Sequence, residues 1–200
     1  MKTPSRSSAL RITELAVLSA IIILMAFTPL GYLKVGPLSI TFLVIPVVLG
    51  AILLGPADGA ILGAVFGATS FAQCFGMDAF GTTLLNLNAA YTFLMCFVPR
   101  ILIGLVSGYL VIWLEKLKLN KFTAFALAGL AGALTNTVFF VGLLLAFFGQ
   151  TPFIKSFGDT VFKVIGVLVT TNSLVEAISC TVIVAVVARA VYPAVKKLGT

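Results

Sequence analysis

The stretch from Ser39 to Ser70 constrains this chain more than any other. Two apolar segments meet there at Gly55-Pro56-Ala57-Asp58-Gly59, and Asp58 is the single charge between Lys34 and Asp78. So long a run without charge reads as a hairpin of two membrane helices. The second arm carries Gly59, Gly63 and Gly67 at four-residue spacing, with Ala60, Ala64 and Ala68 beside them. Such a stripe gives one helix face small enough for a neighbour's backbone to approach closely, a packing device common to membrane helices.

The rest of the chain agrees with that start. Of its 200 residues, 60% are hydrophobic and only 10% charged, with a mean hydropathy of +1.20, well outside the range of a soluble domain. Apolar runs near the ~20 residues of a helical span, rather than short alternating ones, argue for helices and against a barrel. The expected spans cover about 12–30, 40–54, 58–75, 90–113, 122–148 and 167–192. The expectation is thus an all-α integral membrane protein, one six-helix bundle over residues 1–200. Asp58 is placed to cap the third span. The segment 76–88, GMDAFGTTLLNLN, reads as a polar loop, and Pro99-Arg100 as an interruption of the fourth span. The basic and then apolar N-terminus reads as a retained first span rather than a signal peptide, because its apolar segment runs too far.

Thirteen Lys and Arg against six Asp and Glu give a net charge of +7. In a soluble chain this excess would suggest nucleic acid; here its distribution gives another reason. Lys2, Arg6, Arg11, Lys116, Lys118, Lys121, Arg189, Lys196 and Lys197 fall on the side of the termini, whereas Lys34, Lys155 and Lys163 fall on the other. The positive-inside rule then puts both termini in the cytoplasm, and nucleic acid drops out as a partner. The longer connections, 74–90 and 149–166, lie outside, where function is expected.

Several chemistries are excluded by residue type. The chain has no His, so His-based acid/base catalysis and His metal sites are absent. Cys74, Cys96 and Cys180 show no metal or redox spacing and read as buried free thiols. No G-x-x-x-x-G-K-[ST] occurs, so the chain cannot hydrolyse ATP by itself. No enzyme activity, metal or cofactor is expected.

What remains is a layer of polar residues inside the apolar segments. Arg100 lies 16 residues before Lys116, Asn136 15 after Lys121 and Glu176 13 before Arg189. At ~1.5 Å per residue these are depths of about 24, 22 and 20 Å, so three spans deliver Arg, Asn and Glu to one level. Asn172 sits one turn from Glu176 on the same helical face. Polar groups at such depth cost a few kcal/mol unless they face an interior, which makes the layer a candidate binding site. Two readings coexist: Arg100 pairs with Glu176 and holds the bundle, or Arg100 also keeps donors for an acidic ligand. Asn86 and Asn88 in the outer loop are candidates to close over that ligand, or are turn formers.

The segments ITFLVIPVVLGAILLGPADGAILGAVFGATS, FGMDAFGTTLLNLN, CFVPRILIGLVSGYL, ALTNTVFF and NSLVEA together resemble the substrate-binding S-components of energy-coupling factor (ECF) vitamin transporters, over nearly the whole chain. Within that group the likeness is strongest to the S-components for pantothenate. The resemblance implies six helices, an outward pocket roofed by external loops, and residence in a prokaryotic cell membrane. It also implies partners: a transmembrane T-component and two cytoplasmic ATPases. The family's A-x-x-x-A docking motif for the T-component matches Ala16 and Ala20 here. The alternatives are an S-component for another vitamin, a stand-alone secondary transporter and an intramembrane enzyme. A secondary transporter would call for inverted repeats with matched broken helices, and an enzyme for a nucleophile or metal set.

Overall fold

The computed structural model describes residues 8–35, 38–158 and 161–198. Helix α1 (Ser8–Ala26) leads into a β-hairpin, β1 (Tyr32–Val35) with β2 (Leu38–Thr41), whose antiparallel register pairs Tyr32 with Thr41 and Val35 with Leu38. Then follow α2 (Val44–Leu54), α3 (Pro56–Gln73), α4 (Ala79–Leu87), α5 (Ala89–Lys116), α6 (Lys121–Phe148), the single turn α7 (Pro152–Lys155) and α8 (Val161–Leu198). Among the described residues four helices are long and apolar enough to cross a membrane: Ala9–Ala26, Ala89–Lys116, Lys121–Phe148 and Ser173–Val195. The chain is therefore a predominantly helical, multi-pass membrane protein. Of the two remaining expected spans, α2 is an apolar helix of only 11 residues, and α3 has 18 residues.

The glycine stripe sets the central helix pair. A Cβ on Gly63 would overlap the carbonyl of Arg100, one on Gly104 the backbone of Gly59, and one on Gly67 would lie 2.9 Å from the carbonyl of Cys96. Residues 59, 63 and 67 of α3 thus face 104, 100 and 96 of α5, an antiparallel contact of backbone on backbone in steps of one turn. This is the close approach that the four-residue spacing predicts. Behind it, Leu43, Val44, Val47, Val48, Leu62, Phe66 and Ile103 are wholly buried and form the main apolar core with α6 and α8.

Several local expectations are corrected. Asp58 does not cap α3: Gly55 is the N-cap, with φ +110°, and Pro56 occupies the first turn. Asp58 instead accepts from Arg11 Nε at 2.8 Å, which ties the start of α1 to the α2–α3 turn. The segment 76–88 is largely helix rather than loop. The carboxylate of Asp78 caps α4 by accepting from Gly81 N at 2.7 Å, and Phe80 and Leu84, one turn apart, are buried. The second span starts at Val44 rather than 40 because residues 38–41 pair as β2. Pro99 does not interrupt the fourth span either; α5 runs through it from Ala89 to Lys116.

Candidate functional site

A cavity of about 590 Å³ opens between the ends of α1 and α3, the hairpin, α4, and the facing halves of α5, α6 and α8. That volume lies within the about 300–1,000 Å³ of small-molecule sites. Its polar lining includes Arg100, Asn136 and Glu176, so the three residues placed at one depth by counting along their helices meet in one cavity.

The local sequence explains how Arg100 reaches it. Proline has no N–H, so Pro99 leaves the carbonyl of Met95, four residues back, without its helical partner. Arg100 Nη1 donates to that carbonyl at 2.8 Å. The proline is tolerated because the next residue satisfies the group it orphans, as apolar surroundings demand. Nη2 donates to Ser70 Oγ at 3.3 Å, and the guanidinium carbon lies 5.2 Å from the ring centroids of both Phe66 and Phe140. Arg100 is thus clamped between two aromatic faces with two of its donors used. Its Nε, buried, has no hydrogen-bond partner among the described residues.

Glu176 does not pair with Arg100; no ion pair within 4.0 Å joins them. It accepts from Asn136 Nδ2 at 2.9 Å and from the backbone N–H of Thr41 at 3.4 Å. Glu176 therefore ties the hairpin to α6 and α8, while Asn136 is oriented by the carboxylate and keeps Oδ1, buried and unpartnered, for the cavity. The Tyr32 hydroxyl is likewise buried without a partner at the cavity wall. Burial raises the Tyr32 phenol well above its ordinary value, so it stays a neutral O–H.

The side chain of Asn172 lies outside the described residues. Asn86 and Asn88 do not line the cavity: both are exposed, and Asn88 caps α5, its Oδ1 accepting from Tyr91 N at 3.1 Å. Ala16 and Ala20 are exposed on α1 and do not line the cavity. Residues beyond the sequence expectation complete the lining. Gln73 and Ser70, one turn apart at the end of α3, face inward, and Gln73 Nε2 donates to the Ala26 carbonyl. Thr137 and Ser173 meet at 3.4 Å between α6 and α8. Cys74 and Cys96, free and buried, stand 3.9 Å apart between their Sγ atoms in the wall.

The family model described as "ECF transporter, substrate-specific component" matches residues 10–188. The chain belongs to this family. The S-component is 30% identical over 203 residues to a protein of Lactococcus lactis subsp. cremoris named "Pantothenic acid transporter PanT", spanning 96% of each chain. It is 31% identical over 194 residues to "Pantothenate transporter PanT" of Leuconostoc mesenteroides subsp. mesenteroides, spanning 90% of this chain and 91% of the relative. The S-component family is one of transporter subunits rather than an enzyme class.

Proposed function

We propose that this S-component captures pantothenate from outside the cell and passes it inward with an ECF module, made of a transmembrane T-component and two cytoplasmic ATPases. One observation carries the ligand assignment: three buried polar atoms without protein partners, Arg100 Nε, Asn136 Oδ1 and the Tyr32 hydroxyl, all belong to residues lining one cavity. A buried polar group left unmade costs about 1–3 kcal/mol, so three together are best accounted for by a polar solute that completes them. Pantothenate brings a carboxylate for Arg100, hydroxyls that can donate to Asn136 Oδ1, and an amide. The guanidinium of Arg100, which forms no direct ion pair with Glu176, favours an anion over a neutral vitamin. Asn172, one turn from Glu176, is proposed as a further amide on the ligand, and the small face of Ala16 and Ala20 as the contact for the T-component. Six crossings with cytoplasmic termini turn the cavity outward, in keeping with the distribution of Lys and Arg.

Titration calorimetry on the purified chain tests the reading. Wild type should bind pantothenate; Arg100→Gln should lose most of the affinity; Asn136→Ala should weaken it by about 1–3 kcal/mol, roughly 5- to 150-fold. Undiminished affinity in Arg100→Gln would remove the carboxylate from that residue. Binding of a neutral vitamin in place of pantothenate would overturn the substrate.

A further inference from the structure

Two of the helices that build the candidate cavity, α6 and α8, also build a second cleft at their other end. It encloses about 590 Å³ and is lined by Lys121, Phe122, Phe125, Arg189, Tyr192 and Pro193, among others. We propose that this cleft binds the phosphate headgroup of an anionic phospholipid.

The first argument is depth. Lys121 lies 15 residues before Asn136 on α6, and Arg189 13 after Glu176 on α8. At ~1.5 Å per residue that is about 20–22 Å from the solute cavity, the level where the far leaflet's headgroups meet a hydrocarbon core of ~30 Å.

The second argument is charge. The Lys121 ammonium sits 4.4 Å above the Tyr192 ring and the Arg189 guanidinium 5.7 Å from the Phe122 ring. The rings hold both cations in place and leave their N–H donors unused. Among the described residues neither forms an ion pair within 4.0 Å. The nearby carboxylate, Glu115, accepts instead from the Tyr192 hydroxyl at 3.2 Å. Two fixed cations over aromatic rings at the membrane surface complement one phosphodiester.

The third argument separates a lipid from a free anion. Ile178, Val182 and Val186 are 63%, 56% and 56% exposed, and they precede Arg189 at spacings of four, four and three residues. They form one apolar stripe on α8 that runs through the hydrocarbon depth and ends at the guanidinium. A phospholipid whose phosphate sits at Lys121 and Arg189 lays an acyl chain along that stripe, whereas free phosphate makes no use of it. The inference does not depend on which solute the opposite cavity takes.

Native mass spectrometry of the full chain, in detergent with equal phosphatidylglycerol and phosphatidylcholine, tests it. Wild type should retain phosphatidylglycerol at least tenfold over phosphatidylcholine. Lys121→Gln with Arg189→Gln should reduce that preference below twofold, while Lys155→Gln, a cation at the other end, should leave it intact. If the double variant does not fold, the single variants Lys121→Met and Arg189→Met should each lower the preference severalfold. Equal retention of both lipids by wild type, or an unchanged preference in the folded variants, would refute the site. Displacement of the lipid by millimolar inorganic phosphate would show a free-anion site and equally refute it. A loss confined to assembly with the ATPase module, with lipid retention unchanged, would assign the cleft to an acidic protein surface.

Discussion

The backbone contact between α3 and α5 can be probed by placing one methyl group in two positions. Gly63→Ala puts a Cβ into the carbonyl of Arg100, with the Ile101 Cα only 2.9 Å away, where ordinary contacts begin at 3.4 Å. Both obstacles are backbone, so no rotamer change relieves them; the helices must separate. Overpacking of this kind costs typically about 1–3 kcal/mol, and with backbone on both sides the upper end applies. The better helix propensity of Ala returns about 1 kcal/mol, leaving a net loss of about 2. Gly142, inside α6, has nothing within 4 Å of a built Cβ, so Gly142→Ala keeps only the favourable propensity contribution of about 1 kcal/mol. The same substitution should therefore differ in sign between the two sites, by about 3 kcal/mol in total. For a chain of this size that corresponds to a separation in Tm of roughly 6–12 °C. Cys74, Cys96 and Cys180 are all buried and free, so a thiol-reactive fluorophore reports unfolding directly. Because the obstructing carbonyl belongs to Arg100, ligand affinity should fall in Gly63→Ala and hold in Gly142→Ala. A Gly63→Ala protein that melts at or above wild type would show that the helices do not meet as described.

Three further predictions follow from other parts of the chain. Pro99→Ala restores the N–H that the Met95 carbonyl lacks and should raise Tm, yet weaken ligand binding, since Arg100 Nη1 then shares its anchor; unchanged affinity in calorimetry would refute the anchoring role. Replacing Ala16 and Ala20 together by Leu should abolish uptake in cells while the purified chain binds with wild-type affinity; parallel loss of both would make that face part of the fold. In intact cells an impermeant maleimide should modify Lys155→Cys and spare Lys118→Cys, and the reverse pattern would invert the orientation.

Much of the site was legible because depth along a helix is a matter of counting. Arg100, Asn136 and Glu176 could be set at one level from the cations that end their helices. The direction in which each side chain points around its helix is not given by that count. Arg100 and Glu176 were therefore natural partners by charge and depth, yet the orphaned carbonyl of Met95 and the Phe66 and Phe140 rings take the guanidinium. The glycine spacing carried over directly, because a close approach depends only on residue size at one-turn intervals. Helix α4 was hidden by its Gly, Thr and Asn content, although Asp78 as cap and the Phe80–Leu84 pair were its readable marks. The hairpin between α1 and α2 was missed because its pairing is short, four residues in each strand.

The short α2 gives the molecule an electrical property as well as a shape. Its 11 residues start just after Thr41 in the cavity wall, and Val44, Val47 and Val48, with Leu62, Phe66 and Ile103, fill the space beyond with no measurable exposure. The polar well therefore ends on a dry plug rather than leading into a pore. Ser107 is buried beside Val48 and Ile103, but its hydroxyl is engaged with the Ala128 carbonyl at 3.2 Å, and the cost of dehydrating a charge in so apolar a core is many kcal/mol. Such a chain can stand in an energised membrane in many copies, with its cavity open, without short-circuiting the gradients on which the cell depends.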